Sequence, residues 1–394
     1  MVDSLANGVV FAFLLIYFQQ VTAVPLAEIG FAMTTGRLVA LATPPLAGMA
    51  LDRWSPRKVI VLGNWISFVG VGVAAFATDF WVIGISQLLI QVGMNLYWTS
   101  SRSLVAIAAQ GEELPRWFAL LGALRNVGTG VGAVVASLFL AVDSPVLLRS
   151  LVGGSAFAFA IASILLLAWN MSSMEQKHRS EKARDFTSPP ESPGNRGYAA
   201  VLTDSRYMLL LALNLVFVLA AMVLPLLLAV WVVDIARLAP GWAGGLIAAN
   251  TLCVALLSTV AVRLTERFHP ASLLIGAFAL NALSLILLWA AGANSGGLAA
   301  VLFLTVFIVI YSAAEMLSTP YMSDLSVSMA DSAHSGRYQG AFQSSWSLGM
   351  AMAPVLFATL LQFSPNLLIG ILTVLCLLSI LGCFLLKRKI AQND

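Results

Sequence analysis

Asp3, Arg37, Arg125 and Glu315 each stand inside a long apolar run of a 394-residue chain that is 60% hydrophobic and 10% charged. An ionisable side chain in hydrocarbon is costly, so it pairs, faces water or carries a proton. The chemistry open to these four is proton exchange and charge pairing. Arg37 precedes Gly48 by eleven residues, about 16 Å at the helical rise. Arg125 follows Arg116 by nine residues and Glu315 precedes Asp324 by nine, about 13 Å each. Equal depth allows an Arg125–Glu315 pair, which would lower the cost of both charges.

A second constellation is the stretch GMALDRWSPRK, in which Gly48, Asp52, Arg53, Arg57 and Lys58 interrupt two hydrophobic runs. Lys58 reads as a positive anchor on one membrane face. Asp52 needs another explanation, because an acid contributes nothing to positive-inside orientation.

The elements that must carry these residues follow from length. A membrane helix needs about 20 mostly apolar residues. Twelve stretches meet that length: roughly 2–20, 27–50, 58–78, 80–103, 115–141, 146–170, 207–233, 241–263, 270–292, 297–323, 337–362 and 366–386. Backbone in lipid must satisfy its own hydrogen bonds, so these runs are helices. The expected fold is all-α and integral to the membrane, with a half over 1–170, a polar linker over 171–206 and a half over 207–394. The linker, with EQKHRSEKARDFTSPPESPGNRG, has charge, Ser, Pro and Gly without apolar period.

The halves repeat. DRWSPRKVIVLGNWIS from Asp52 aligns with ERFHPASLLIGAFALN from Glu266, and Arg116 of RWFALLGALRN aligns with Arg337 of RYQGAFQSSWS. Arg37 falls opposite Asn250. In this frame helix one is about two turns short, which a short first helix or residues ahead of Met1 would explain. Asp3 then reads either as an acid at the depth of Glu315 or as a solvated helix cap.

Orientation comes from Lys and Arg. Arg53, Arg57, Lys58, Arg116, Lys177, Arg179, Lys182, Arg184, Arg263, Arg267, Arg337, Lys387, Arg388 and Lys389 fall on one side, with only Arg149 and Arg237 opposite. Both termini and the linker are therefore expected in the cytoplasm.

Other classes are disfavoured. Cys253, Cys376 and Cys383 lie in apolar runs without a C-x-x-C pair, and His178, His269 and His334 fall in polar connections. No metal, cofactor or nucleotide loop is expected, and no nucleophile–base set marks an enzyme. A net charge of +3 gives no footprint for nucleic acid. No cleaved signal peptide is read.

The loop, the twelve spans, the linker and the same-direction repeat together resemble the major facilitator superfamily, in its drug and small-molecule exporter branch. The family's loop runs Gly, three residues, Asp-Arg, one residue, Gly, then basic residues. Gly48, Asp52, Arg53, Arg57 and Lys58 match, and Ser55 departs where glycine is usual. The second half keeps only Glu266-Arg267. The resemblance implies a latch, with Asp52 facing the start of helix eleven near Ser335-Gly336-Arg337, a partner for an acid because a helix N-terminus is positive. Arg53 and Arg57 would hold neighbouring helix ends or lipid head groups.

It also implies a cavity lined by helices one, four, seven and ten. Candidates there are Tyr17, Gln91, Asn95, Trp98, Asn214 and Tyr311, with Phe11, Gln19, Tyr97 and Met316. Gly122, Gly128, Gly130 and Gly132 on helix five match the family's antiporter motif in part, without its Gly-Pro step, and read as close packing.

The function expected is proton-coupled efflux of a small organic or drug-like molecule by alternating access. The protein would be a monomer in the cytoplasmic (inner) membrane, with substrate, protons and lipid as partners. A nutrient importer of the same fold and a non-transporting membrane scaffold or sensor are the competing readings.

Overall fold

The computed structural model describes residues 2–109, 113–140, 144–169 and 197–392, and the expected linker residues 171–196 lie outside them, with Lys177, Arg179, Lys182, Arg184 and His178. The described chain is almost entirely helical. Its elements are α1 (Val2–Val21), α2 (Leu26–Val39), α3 (Thr43–Arg53), α4 (Pro56–Ala75), α5 (Phe80–Ala108), α6 (Glu113–Leu140) and α7 (Pro145–Ala168). They continue with α8 (Ala199–Thr203), α9 (Ser205–Ala221), α10 (Gly241–Thr265), α11 (Pro270–Ala293), α12 (Leu298–Ser328), α13 (Ser335–Phe363) and α14 (Pro365–Ala391). With α2 and α3 counted as one span, α9 counted with the turns that follow it, and the five-residue α8 set aside, these are the twelve helices of two six-helix halves. Nine of the described helices are long and apolar enough to cross a membrane.

Local chemistry sets the starts. Asp79 caps α5 by accepting the N–H groups of Trp81 and Val82 at 2.9 and 3.2 Å. Asp204 caps α9 through Arg206 and Tyr207 in the same way. Pro56, Pro270 and Pro365 stand in first turns, where a missing N–H costs nothing.

Two spans that read as continuous are not. The second breaks into α2 and α3 through a 3₁₀ turn at Ala40–Ala42, ahead of Pro44 and Pro45. The seventh leaves α9 through a π turn at Val223–Leu227, which contains Pro225, and a second at Trp231–Ile235. Proline removes the N–H that would serve the carbonyl four residues earlier, so the chain rewinds locally.

The chain forms two compact units. The first comprises residues 1–110, 124–201 and 330–344, and the second residues 111–123, 202–329 and 345–394. In the first unit α4 packs on α5 and α7, α2 and α3 on α5, and α1 on α7. Its apolar core gathers Tyr17, Phe18, Ile29, Val71, Ile83, Ile90 and Phe159. Arg149 donates to the carbonyls of Val21, Ala75 and Ala77, acceptors at or just past the ends of α1 and α4.

In the second unit α11 packs on α12 and α14, α10 on α12, and α9 on α14. Tyr207, Leu210, Trp231, Phe278 and Phe307 are fully buried there. Trp231 donates its indole N–H to the Leu288 carbonyl at 2.7 Å.

Glycines allow α1 and α6 to approach closely in the first unit. A Cβ on Gly8 would meet the Thr129 carbonyl, and one on Gly132 would meet the Leu5 carbonyl, with the two glycine backbones about in contact. Gly132 thus seats α1 on α6. Gly122 has open space around it.

Candidate functional site

Asp52 ends α3, and its Oδ1 accepts the backbone N–H of Gly336 at 2.9 Å, in the first turn of α13. Its Oδ2 lies 3.4 Å from Nε of Arg337. The approach needs glycine on both helices. A Cβ on Gly48 would lie 2.7 Å from the Gly336 carbonyl, and one on Gly340 2.7 Å from the Pro44 carbonyl. Arg57 donates to the Leu167 carbonyl in the last turn of α7. Arg53 and Lys58 are exposed.

Two neighbours of this cluster carry no motif. Arg102, buried in α5, donates from Nε to Gln339 at 2.9 Å and from Nη2 to Gln343 at 3.0 Å, and its guanidinium lies 4.8 Å from the Phe342 ring. Its signal in the sequence is an arginine in the last turns of an apolar run. Tyr198, where the chain returns from the linker, donates its hydroxyl to the Pro45 carbonyl at 2.6 Å. Burial, then the Asp52 charge, push its phenol well above the ordinary range, so it stays a donor.

The second unit holds the repeat of this arrangement. Glu266, aligned with Asp52, pairs with Arg116, aligned with Arg337. The Arg116 guanidinium is the main cause that holds the Glu266 carboxyl below its ordinary range.

The in-membrane charges settle into two groups. In the first unit Asp3 is buried. The Tyr97 hydroxyl hydrogen-bonds its carboxylate, and Arg125 is within electrostatic reach of both. The Arg125 guanidinium stands 4.0 Å over the Trp98 ring, a cation–π contact. Arg37 lies on an exposed flank of α2, near Thr34. In the second unit Asn250 donates from Nδ2 to Glu315 Oε2 at 3.0 Å and to Ser312 Oγ at 3.1 Å. Arg125 and Glu315, expected as a pair, therefore each have partners within their own unit. Asp3 is not the solvated cap of the alternative reading.

Several residues expected to line a cavity are spent on helix packing instead. Tyr17 is 2% exposed and donates to the Ala74 and Ala75 carbonyls, both at 3.1 Å, at the end of α4. Asn95 donates from Nδ2 to the Ala40 carbonyl at 3.0 Å, and Tyr311 donates to the Ala221 carbonyl at 3.0 Å. Both carbonyls stand four residues before a proline, Pro44 and Pro225, which has no N–H to offer. Ala40 also takes the Thr43 N–H of its 3₁₀ turn, so Asn95 is its second donor. Asn214 is fully buried and donates to Ser345 Oγ at 2.7 Å, while its own Oδ1 is unpartnered. Gln91 and Trp98 are half-buried, Gln19 is exposed and Met316 is buried, and the Phe11 side chain lies outside the described residues. Among the described residues no group of three or more His, Cys, Asp or Glu could hold a metal ion.

Known proteins match this chain over most of its length. The profile of the Major Facilitator Superfamily matches residues 1–249. The multidrug resistance protein MdtH of Cronobacter sakazakii is 26% identical over 352 residues, 87% of this chain and 80% of that protein. MdtH of Edwardsiella ictaluri is 26% identical over 329 residues, 82% of this chain and 75% of that protein. Among solved structures, a bacterial homologue of the iron transporter ferroportin in an outward-facing state superposes with a TM-score of 0.74 at 16% identity, covering 98% of this chain and 97% of that one. FucP in its outward conformation gives 0.73 at 15% identity, covering 98% and 95%. These structures share the fold. The family match, the twelve helices and the Asp52 loop agree: the chain belongs to the Major Facilitator Superfamily and is an integral membrane transporter, not an enzyme.

Proposed function

We propose that this transporter exports small organic, drug-like molecules in exchange for protons, with both termini and the linker in the cytoplasm. Its two six-helix halves rock about a central site, as same-direction repeats related by an axis along the membrane normal allow. The observation that carries the reading is Glu315. It is a carboxyl in the middle of α12, joined to the neutral amide of Asn250. A carboxyl in hydrocarbon with a neutral partner can take up a proton on one face of the cycle and release it on the other. Asp3, beside Tyr97 and Arg125, is the second candidate. The MdtH relatives, named for multidrug resistance, support export of organic compounds. Asp52 with Gly336 and Arg337 is the latch that closes the cytoplasmic side, and Arg57 braces it.

The test is efflux of fluorescent organic cations and hydrophobic dyes in inverted membrane vesicles. Wild type accumulates dye when a proton gradient is imposed, and a protonophore stops it. Glu315→Gln abolishes accumulation while leaving the protein folded. Dye that moves only down its own gradient at every imposed pH difference sinks the proton-coupled reading.

A further inference from the structure

We infer that Tyr198 is a positioning residue of the transport cycle, a fixed wall in α3's docking face against which the start of α13 seats. The inference rests on the alternating-access reading above.

Within the expected linker Gly197 has a φ of 45°, in the left-handed region that glycine adopts without penalty. That turn delivers Tyr198 to α3. The short helix α8 begins at Ala199, the next residue, and its Val201 is fully buried. The segment is thus tied down on the C-terminal side of the tyrosine.

The phenol has two different kinds of neighbour. Its hydroxyl donates to the Pro45 carbonyl at 2.6 Å, a directional bond that ties it to α3. The same oxygen would lie 2.6 Å from a Cβ on Gly48 and 2.7 Å from a Cβ on Gly340. A Cβ on Gly340 would also lie 3.0 Å from the Gly48 Cα. Two glycines therefore leave a notch where α3 meets α13, and Tyr198 fills it. Toward Gly340 the contact is packing alone, because glycine offers it no side chain.

This asymmetry gives Tyr198 its role. When α13 leaves, Tyr198 stays with α3 through Pro45, and the notch keeps its shape for the return. Asp52 supplies the charge that attracts the Gly336 N–H, and Tyr198 supplies the shape. The linker end thereby becomes part of the latch. The chain passes from the first unit to the second between Val201 and Leu202, so this anchor sits just ahead of that crossing.

The test uses the full-length protein in inverted vesicles, with Cys253, Cys376 and Cys383 replaced by Ser and a reporter at Gln343→Cys, a position 3% exposed beside the cluster. Labelling by a membrane-impermeant maleimide reports how often α13 leaves α3. Tyr198→Ala is expected to label at least about threefold faster, and Tyr198→Phe by less, the scale of one lost neutral hydrogen bond and its packing. Maximum dye efflux should fall while KM does not change, because Tyr198 touches only the α3–α13 contact. Should Tyr198→Ala fail to fold, Tyr198→Phe and Gly197→Ala carry the test at matched melting temperature. Unchanged labelling in the Tyr198 and Gly197 variants, with faster labelling in Asp52→Asn, overturns the role of Tyr198 and leaves alternating access standing. Unchanged labelling in every variant, Asp52→Asn included, overturns both.

Discussion

Asp52 holds the backbone N–H of Gly336 at 2.9 Å, across 284 residues of sequence. Its repeat counterpart Glu266 holds Arg116, as Asp52 holds Arg337. Each half of the sequence thus contributes an acid at the end of one helix and an arginine in the first turns of another. The two contacts are not equal. Asp52 takes a backbone donor as well as a guanidinium, and it is the more enclosed of the two acids.

Asp52→Ala removes both contacts, and Asp52→Asn removes only the charge. A hydrogen bond to a charged group contributes about 1.5–3 kcal/mol. Dye efflux should therefore fall by about tenfold or more in Asp52→Ala and by less in Asp52→Asn. Equal losses in the two variants would mean that the charge, and not the Gly336 contact, carries the effect.

Tyr311→Phe leaves the Ala221 carbonyl without the donor that replaces Pro225. A buried acceptor left unserved costs about 1–3 kcal/mol. The expected result is a lower melting temperature for the purified protein. Pro225→Ala restores an N–H four residues after Ala221 and should recover part of the loss in the double variant, a coupling that a double-mutant cycle measures. Additive losses would contradict the proline explanation.

Gly132→Val places a side chain into the Leu5 carbonyl and the Gly8 backbone. Overpacking of this kind costs about 1–3 kcal/mol, more where backbone must move. Yield of folded protein should drop sharply. Gly122→Ala, with open space around it, should be neutral.

The Glu266–Arg116 pair predicts a dependence on acid. The folded carboxyl is held below its ordinary value of 4.5. A lowered acid contributes stability above the ordinary range and loses it as pH falls through the folded value. Melting temperature measured from pH 7 down to pH 3 should therefore fall less in Arg116→Gln than in wild type. The difference will be small, because both side chains are partly solvated. A wider fall in Arg116→Gln would reverse the sign of the argument.

Much of this protein is legible without coordinates. Hydrocarbon demands about 20 apolar residues per crossing and internal backbone bonding, so twelve runs dictate twelve helices. The Asp52 loop is equally readable, because an acid between apolar runs has no role in orientation. The landmarks Asp52, Glu266, Arg116 and Arg337 align by order alone. Depth along a helix is also local, which is why Asp3, Arg125 and Glu315 stand out.

What tertiary structure decided is where polar atoms find their partners. Asn95 and Tyr311 look like cavity residues by type, yet each serves a carbonyl on another element, four residues ahead of a proline. Tyr17 serves the end of α4. Arg102 becomes part of the α13 contact only because the fold sets α5 against the first turns of α13. Hydrophobic length and charge side are properties of a single segment, and a sequence carries them outright. A hydrogen bond between helices depends on rotation and register of both, and those are set by how glycines, prolines and bulky side chains pack.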